Sequence, residues 1–370
     1  MPHINSIKKS WPQKWIKELD EEFIALQNPR VKEKPTAIDL FSGCGGLSLG
    51  LKQAGFRVIG AIEIDQLAAE TYKANHKSVV LWQEDIRKVS TAAVMRKLKL
   101  RSGQLDLLAG CPPCQGFSAM TTLNGRYTRE DPRNDLVLEF LRFVRRLRPK
   151  AVMMENVPGL WKDPRLKQLL AALQSLGYEC NFDVLDAADY GVPQRRRRFI
   201  LLAGRGASIS FGTPSHTRVT VRDAFRKIQT TSKDDALQIV KERRSEKVKR
   251  LIQLVPKNGG SRLDIGARRQ LRCHRKCNGF KDVYGRMSWH EVAPTITGGC
   301  CNPSKGRFLH PVKNRTITLR EAAVLQSFPP DYFFSLRRGK FPAAEMIGNA
   351  LPPEFIRRHA LRVRAFTAGC

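Results

Sequence analysis

Short apolar runs alternate with helical patterns over the first two hundred residues of the chain. A strand pattern begins at Thr36 and runs into a glycine-rich turn, and a helical pattern follows over 47–54. Strands that alternate with helices in this way build a parallel, doubly wound sheet. The pattern therefore predicts an α/β fold. Further strands are predicted over 56–64, 79–82, 105–109, 150–157 and 199–203, and further helices over 136–147 and 163–177.

The alternation ends near Phe211, and a different composition follows. Residues 215–310 are richer in Gly, Arg, His and Cys, and their apolar runs are short and irregular. A helical pattern resumes after Thr318, a typical N-cap, and stops before Pro329. We therefore predict two domains and two flanking segments. These are an N-terminal extension (1–34, with a short helix near 15–26), a large α/β domain (35–210), a smaller irregular domain (211–317) and a C-terminal segment that returns to the first domain (318–370).

The chain carries a large excess of positive charge. It has 65 Lys and Arg against 34 Asp and Glu, which gives a formal net charge of +31. Such an excess destabilises a compact protein by self-repulsion, and a polyanionic partner explains it best. Nucleic acid is the commonest partner of this kind. A membrane surface fits less well, because the chain has no basic amphipathic helix with an aromatic face and no apolar run of about 18 residues.

Cysteine usage and the first residues of the chain predict a reducing compartment. The nine cysteines are scattered and odd in number, which fits a cytosolic protein better than a disulfide framework. The first eleven residues lack the apolar core of a signal peptide. We therefore expect a cytosolic protein.

The turn after the first strand is suited to a nucleoside-type ligand. Glycines at 43, 45 and 46 allow a ligand to approach the backbone at the start of a helix. Ser48 stands where the dinucleotide fingerprint needs a third glycine, and no Gly-Lys-Ser/Thr sequence follows, so a pyrophosphate ligand is not predicted. Glu63 ends the second strand, where doubly wound folds grip a ribose hydroxyl. Glu84, Asp85 and Ile86 follow the third strand, where they could meet the adenine ring.

Cys114 follows a strand and two prolines, which fix the direction of its thiol before a substrate arrives. Taken alone, this motif leaves open that Cys111 and Cys114 are two small buried residues. A redox pair fits poorly, because two prolines separate the thiols and no thioredoxin pattern surrounds them. The motif therefore has to be interpreted together with the others.

Two further features can meet Cys114 at the same edge of the sheet. Glu155 ends an apolar strand, and burial there would raise the pKa of its carboxyl group. Four arginines, 195–198, open the strand that contains Phe199. Because side chains alternate along a strand, one pair of these arginines can face the site.

With these motifs in order, the chain resembles the cytosine C5 DNA methyltransferase family over most of residues 36–355. The motifs that carry the resemblance are Asp39-Leu-Phe-Ser-Gly-Cys-Gly-Gly, Pro113-Cys-Gln, Glu155-Asn-Val, Gln194-Arg-Arg-Arg-Arg, Arg320-Glu-Ala-Ala-Val-Leu-Gln-Ser-Phe-Pro and Gly348-Asn-Ala. Any one of them is weak, but six in the family's order are specific. The resemblance implies the mostly parallel sheet of S-adenosylmethionine-dependent methyltransferases, with residues 211–317 as the target-recognition domain.

The resemblance also implies roles for individual residues. Cys114 would be the nucleophile, Glu155 would contact the N3 edge of cytosine, and Arg196 and Arg198 would form its polar surroundings. The residues implied to bind S-adenosylmethionine are Phe41, Ser42, Gly43, Gly45, Gly46, Glu63, Ile64, Asp85, Ile86, Pro113, Leu136, Asn349 and Ala350. The residues predicted to bind DNA are Gln115, Ser118, Arg268, Arg269, Arg272 and Arg275. Residues 115–134 are predicted to form a loop that closes over the flipped base.

The predicted function is methyl transfer to cytosine in a specific duplex DNA sequence. The enzyme is expected to be a monomer in the bacterial cytosol, associated with the nucleoid, with a restriction endonuclease as a separate companion. A tRNA cytosine methyltransferase with the same motifs and a non-catalytic DNA-binding regulator on the same fold stay as alternatives. A nicotinamide-dependent oxidoreductase is disfavoured by the glycine loop and the charge.

Four cysteines of the second domain leave a zinc site open. Cys273, Cys277, Cys300 and Cys301 occur there, with His274 beside the first. Their spacing matches no standard zinc finger, and two adjacent cysteines rarely ligate the same ion. No metal ligand is therefore predicted.

Overall fold

The computed structural model of the protein describes residues 34–113, 135–230, 234–240, 243–275 and 281–369. The side chains of residues 229, 230, 272 and 275 are not part of this description. The predicted N-terminal helix, Cys114 and the predicted closing loop lie outside the described residues.

A seven-stranded sheet forms the centre of the molecule, with the strand order β3-β2-β1-β4-β5-β7-β6. The pairs β1–β2, β1–β4, β2–β3 and β4–β5 are parallel, whereas β7 runs antiparallel to both β5 and β6. The predicted α/β fold with a mostly parallel sheet is confirmed, but the sequence pattern did not predict the antiparallel insertion of β7. The strands are β1 (Thr36–Leu40), β2 (Arg57–Ile62), β3 (Val80–Trp82), β4 (Leu107–Gly110), β5 (Ala151–Asn156), β6 (Tyr178–Asp186) and β7 (Arg197–Arg205).

Of the helices described in the first two hundred residues, the first, fourth and fifth match predicted helical patterns, whereas the second and third were not predicted. The fourth has the predicted bounds, and the fifth is followed by Gly177, whose positive φ of 82° reverses the chain. These helices are α1 (Gly46–Gln53), α2 (Gln66–Asn75), α3 (Thr91–Leu98), α4 (Leu136–Leu147) and α5 (Pro164–Ser175).

Later helices are shorter until the chain returns to the sheet. The predicted cap is present, since Thr318 and Glu321 form a capping box at the start of α10. The helices are α6 (Val221–Arg226), α7 (Ala236–Ile239), α8 (Glu246–Leu254), α9 (Arg272–Arg275), α10 (Leu319–Leu325), α11 (Lys340–Asn349) and α12 (Pro353–Ala368).

Successive residues of the strands point to opposite faces and build two separate cores. Val152 and Met154 belong to the core under α3, α4 and α5. Ala151 and Met153 belong to the core under α1 and α12. Because both faces are covered by helices, the central strands are almost continuously apolar.

A third core joins parts of the chain that the sequence pattern assigns to different domains. It contains Val221 and Phe225, Ile296 and Phe308, and the α10 and α11 side chains around Ala322. This core therefore spans the predicted boundary at residue 317, and the division into domains stays a prediction. Within the described ranges, no helix is both long and apolar enough to span a bilayer.

Candidate active site

The carboxyl edge of the sheet brings the predicted site residues together. Leu40, the last residue of β1, pairs with Ile62 on one side and with Gly110 on the other. One strand further, Glu155 of β5 pairs with Ile200 of β7. The glycine loop, Glu63, the proline turn before Cys114, and Glu155 therefore all follow neighbouring strand ends, the usual place for sites in open α/β sheets.

The glycine loop reverses the chain between β1 and α1. Phe41, Gly43 and Gly45 have φ angles of 61°, 54° and 98°, in the left-handed region that favours glycine. A Cβ at Gly43 would meet no atom within 4 Å, whereas one at Gly45 would overlap His76 and Tyr332. The loop is therefore open at Gly43 and closed by side chains behind Gly45.

Glu63 fixes this loop from the next strand. Its Oε2 accepts a hydrogen bond of 2.7 Å from the backbone N–H of Gly43, and its Oε1 accepts one of 2.8 Å from Asp65. Burial raises the pKa of Glu63, and the two amide donors oppose that shift. Each carboxylate oxygen retains a second lone pair for a ligand.

The other predicted cofactor residues differ in exposure. Ile64 is 65% exposed, and Asp85 is held by the Arg87 guanidinium at 2.6 Å, which lowers the pKa of that carboxyl group. Ile86 is buried in the core below α4. Three of these residues are half-buried, namely Pro113, Leu136 and Ala350, and Asn349 is exposed. Gly46 has no room for a side chain, because a Cβ there would overlap the carbonyl oxygen of Leu351.

A chain of hydrogen bonds supports the loop from behind. Tyr332 Oη donates to the carbonyl oxygen of Cys44 at 2.6 Å, so the single hydroxyl proton is used there. His76 Nε2, 3.0 Å from the same hydroxyl, must then be the donor to it, and His76 Nδ1 accepts from Lys52 Nζ at 2.9 Å. Burial and the Lys52 charge lower the pKa of His76 to about 3, which keeps the ring in this neutral state.

Glu155 and Arg198 form a buried ion pair beside the proline turn. Arg198 Nε lies 2.8 Å from Glu155 Oε1, and the Glu155 side chain is only 8% exposed. Burial raises the pKa of Glu155, while Arg198, Arg196 and the thiol of Cys111 oppose that shift. The carboxyl group can therefore exchange a proton with a bound ring.

Asn156 holds the backbone that leads into Cys114. Its Nδ2 donates to the carbonyl oxygen of Pro112 at 2.9 Å, and its Oδ1 accepts from the N–H of Val157 at 2.8 Å. Burial, followed by the charge of Glu155, raises the pKa of Cys111 well above its usual range. Cys111 is thus kept as a neutral thiol, which suits a packing role better than that of a nucleophile.

The arginine run alternates across β7 as the strand period requires. Arg196 is 3% exposed and Arg198 faces Glu155, whereas Arg195 and Arg197 are exposed. The two Arg196 Nη atoms donate to the carbonyl oxygens of Ile296 and Gly348, each at 3.0 Å. Arg196 is therefore buried, and its hydrogen bonds tie the irregular region to the segment that bears Asn349, while its role beside the base stays a prediction.

Comparison with known proteins identifies the family of the chain. A family model described as C-5 cytosine-specific DNA methylase matches residues 36–364. The chain belongs to the C-5 cytosine-specific DNA methylase family. It is thus a DNA (cytosine-5-)-methyltransferase, and the oxidoreductase and the non-catalytic regulator are no longer supported.

Individual relatives of this methylase match over most of their length. The Type II methylase M.HgiDII of Herpetosiphon aurantiacus is 34% identical over 347 residues, covering 90% of this chain and 96% of the relative. The Type II methyltransferase M1.HphI of Haemophilus parahaemolyticus is 36% identical over 326 residues, covering 86% and 83%.

Solved structures share the fold. One, described as a prophage-encoded DNA modification methyltransferase of E. coli, has a TM-score of 0.63 at 27% identity and covers 90% of this chain and 98% of that one. The Entamoeba histolytica methyltransferase EhMeth has a TM-score of 0.60 at 16% identity, with coverages of 92% and 100%. At that lower identity the likeness concerns the fold alone.

The predicted DNA-binding residues of the methylase are only partly described. Arg268 and Arg269 are exposed on a short 3-10 turn, and Arg272 and Arg275 bound the helix α9. Gln115 and Ser118, like Cys114, lie outside the described residues. These assignments stay predictions.

The described residues offer no metal centre to the methylase, since no group of three or more His, Cys, Asp or Glu side chains among them could hold an ion. Cys300 and Cys301 are buried beside each other and Cys273 is exposed. Cys277 lies outside the description.

Sequence reasoning missed a buried amide pair in the methylase. Gln194 Oε1 accepts from the N–H of Ile296 at 2.9 Å, and Gln194 Nε2 donates to Gln326 Oε1 at 2.5 Å. Gln326 Nε2 in turn donates to the carbonyl oxygen of Ile347 at 2.7 Å. Gln194 belongs to the arginine motif and Gln326 to the motif that begins at Arg320. Their partners lie more than 20 residues away, and local spacing carries no signal of such contacts.

Proposed function

We propose that this methylase transfers a methyl group from S-adenosylmethionine to carbon 5 of cytosine in a specific duplex DNA sequence, through a covalent bond between Cys114 and carbon 6 of a flipped base. The observation that carries the proposal is the ion pair between Glu155 and Arg198, held 2.8 Å apart beside the turn that leads into Cys114. A carboxyl group and a guanidinium in this arrangement are suited to the N3 and O2 edge of one cytosine ring.

The glycine loop and its surroundings fit S-adenosylmethionine. Gly43 leaves open space at the loop, and the buried Ser42 Oγ and Asp39 Oδ1 lack hydrogen-bond partners among the described residues. Glu63 would accept the ribose hydroxyls with its remaining lone pairs, and the exposed Ile64 offers an apolar surface for the adenine ring. When bound, the cofactor supplies an electrophilic methyl group on a sulfonium.

The protein's part in the reaction is to make carbon 5 nucleophilic. The Cys114 thiolate adds to carbon 6, and the electron pair of the 5,6 double bond moves into the ring as an enamine. A thiolate suits this step because it adds readily and later leaves by elimination, both of which a hydroxyl does poorly. Asn156 supports this step by holding the carbonyl of Pro112, two residues before the nucleophile.

Glu155 and Arg198 manage the charge that develops during addition. A protonated Glu155 gives or shares a proton at N3, which removes negative charge from the ring. Arg198 holds the carboxyl group in place and can reach the carbonyl oxygen O2. After the methyl group is on carbon 5, loss of the carbon 5 proton to a base expels the thiol and restores the aromatic ring.

The substrate base has to leave the helix before this chemistry begins, because carbon 6 cannot be attacked inside a stacked duplex. We propose that Gln115, Ser118 and the rest of 115–134 close over the flipped cytosine. Residues 211–317, with Arg268, Arg269, Arg272 and Arg275, would read the DNA.

The names of the relatives support a place in a type II restriction–modification system. We propose that a cognate restriction endonuclease acts separately on the same sequence. The methylase would work as a monomer on double-stranded DNA in the bacterial cytosol, at the nucleoid.

Sequencing of bisulfite-treated DNA from cells that express the chain tests the function directly. We expect 5-methylcytosine at one short sequence throughout the genome, and its absence from cells that express Glu155→Gln. In vitro, methyl incorporation into duplex DNA should exceed incorporation into tRNA. The reverse preference would favour the tRNA methyltransferase.

Duplex DNA that carries 5-fluorocytosine at the target tests the covalent step. Fluorine cannot leave carbon 5 as a cation, so the adduct should persist through denaturation, and only when S-adenosylmethionine is supplied. Cys114→Ser should abolish the adduct, whereas the matched control Cys111→Ser should retain it. An adduct that maps to Cys111, or forms equally with Cys114→Ser, would contradict the assignment of the nucleophile.

A further inference from the structure

Basic side chains collect at the amino edge of the sheet, opposite the candidate active site. The strands β4 and β5 begin at this edge, the antiparallel strand β7 ends there, and helices α3 and α4 lead into it. We use the name basic edge for six residues of this region: Arg101, Arg145, Arg146, Arg148, Lys150 and Arg205.

Backbone contacts, and not carboxylates, bring these residues together. Arg205 Nη1 donates to the carbonyl oxygen of Arg148 at 3.1 Å, and the Arg205 N–H donates to the carbonyl oxygen of Lys150 at 2.9 Å. The N–H of Gly103 donates to Leu147 at 2.8 Å and ties the turn after Arg101 to the end of α4. Residues from three separate segments therefore share one surface.

The positive charge of the basic edge is poorly balanced. Lys150 pairs with Asp106 at 3.0 Å, but Arg101, Arg145, Arg146 and Arg205 are exposed and make no ion pair with any described residue. The C-terminal dipole of α4 favours cations in its last turn, where Arg145 and Arg146 lie. That effect does not reach Arg101 in a turn or Arg205 at a strand end, so their clustering points to an anionic partner.

The basic edge lies too far from the active site to contact the same stretch of DNA. Strand β5 runs from Ala151 at this edge to Asn156 at the other. Its six residues span about 17 Å at roughly 3.3 Å per residue. A double helix with a persistence length of about 150 base pairs does not bend back over that distance without large deformation.

We infer that the basic edge binds the phosphates of a second duplex DNA segment while the active site holds the first. The strands β4, β5, β7 and β6 span about 14 Å of this edge at roughly 4.8 Å per gap. That width matches about four phosphates of one DNA strand at 3.4 Å each. The contact is independent of sequence and lets the enzyme pass between segments without dissociating fully. This inference rests on the proposed binding of duplex DNA at the carboxyl edge of the sheet, but not on the proposed methyl transfer.

Competitor-dependent dissociation tests this inference. A fluorescent duplex of about 20 base pairs that contains the target is bound to the full chain, and its dissociation rate is measured by stopped flow against increasing unlabelled duplex. We expect the rate to rise linearly with competitor, because the competitor binds before the first duplex leaves. In R145E/R146E/R205E that slope should fall at least tenfold, while methylation of the short duplex stays within twofold.

Matched variants separate charge from folding. R145K/R146K/R205K keeps the charge and should keep the slope, and R145Q/R146Q/R205Q should lose it with an unchanged melting temperature. A slope retained in the Gln and Glu variants, or lost in the Lys variant, would overturn the inference. So would acceleration by single-stranded RNA but not by duplex DNA. If the unmodified chain does not methylate DNA but its dissociation rate still rises with competitor, the proposed function is refuted and the inference about the basic edge stands.

Discussion

The central sheet and the irregular region after it hold their backbones in different ways. In residues 36–205 seven strands pair their main-chain groups with each other. In residues 211–317 the described backbone forms short helices, 3-10 turns and isolated bridges, so many carbonyl oxygens need other donors. Arginine side chains supply several of them.

Arg286 shows the second mode most clearly. Its guanidinium is fully buried and donates to the carbonyl oxygens of Ile252, Val255, His310 and Lys313, at 2.7–3.0 Å. A further bond of 2.7 Å reaches Asn314 Oδ1. Two stretches of the chain, the end of α8 (252–255) and the turn over 310–314, are thus held together by one side chain.

The difference changes how arginine is interpreted in a DNA-binding protein. Where strands satisfy the backbone, polar side chains at strand ends remain available for chemistry, as Glu155 and Arg198 do. In the irregular region, Arg286 and Arg307 bind carbonyl oxygens of their own chain. The number of arginines there is therefore no measure of the number of DNA contacts.

The largest expected effect comes from breaking this scaffold. Arg286→Met should lower the free energy of unfolding by about 3–5 kcal/mol, because several buried acceptors lose their donor at once. Urea unfolding measures this loss. Arg268→Met, in the same region but exposed, should change stability by no more than about 0.5 kcal/mol. Equal effects of the two variants would refute the contrast between buried and exposed arginines.

Asp39, a buried carboxyl group of β1, should make stability depend on pH. Burial raises the pKa of Asp39 to about 7, although Ser48 Oγ donates to its Oδ2 at 2.7 Å. Between about pH 4 and 7 the folded protein therefore holds a proton that the unfolded chain releases. Stability should fall by on the order of a few kcal/mol as pH rises through that window.

The Asp39→Asn variant checks the sign of this effect. The amide cannot ionise, so the unfolding free energy of this variant should lose the Asp39 part of the decline between about pH 4 and 7 and keep only the part that Glu63 and Glu155 contribute through their raised pKa values. Asp106→Asn, at the opposite edge of the sheet, is the matched control and should retain the decline. A decline of equal size in Asp39→Asn would assign it to another group.

The same contrast explains what could be predicted from sequence. The glycine loop, Glu63, Glu155 and the inward direction of Arg196 and Arg198 follow from strand ends and strand period, which are local. The Gln194–Gln326 contact and the support of Gly45 by Tyr332 depend on partners over a hundred residues away, and the place of β7 depends on its pairing with both β5 and β6 rather than on its own pattern. Spacing along the chain contains no information on such pairs, so only the fold reveals them.

Removal of the Glu63 carboxylate should have the next largest effect after the loss of the Asp39 carboxyl group. Glu63→Ala should weaken S-adenosylmethionine binding by about 1.5–3 kcal/mol, the range for hydrogen bonds to charged groups. Titration calorimetry measures the change. Glu179→Ala removes an exposed carboxylate of β6, at the opposite edge of the sheet, and should leave the affinity unaltered. Unchanged affinity in Glu63→Ala would rule out a role for Glu63 in cofactor binding.

A smaller loss is expected behind the loop. Tyr332→Phe leaves the carbonyl oxygen of Cys44 and the Nε2 donor of His76 without their partner, and should weaken cofactor binding by about 1 kcal/mol. Tyr178→Phe removes a comparable buried bond, 2.6 Å long, to Pro149 at the amino edge. It should lower stability but not cofactor affinity. If both variants bind the cofactor equally well, the network does not position the loop.

The exposed arginines of the irregular region should have the smallest individual effects. Each of Arg268→Ala and Arg269→Ala should weaken DNA binding only a few-fold, because a single phosphate contact is shared with many others. If each contacts one phosphate, the slope of log affinity against log salt should decrease by about 0.9 per residue removed. We expect the same small loss of affinity and the same decrease of the salt slope for Arg272→Ala and Arg275→Ala.

Two controls make this last prediction decisive. Arg226→Ala removes an exposed arginine that pairs with Asp223, and it should leave the salt slope unchanged. Cofactor affinity should stay constant in all variants, since the glycine loop belongs to the sheet. If Arg268, Arg269, Arg272 and Arg275 can all become alanine with the target sequence and the salt slope intact, these arginines belong with Arg286 to the scaffold. DNA recognition would then have to lie elsewhere in the chain.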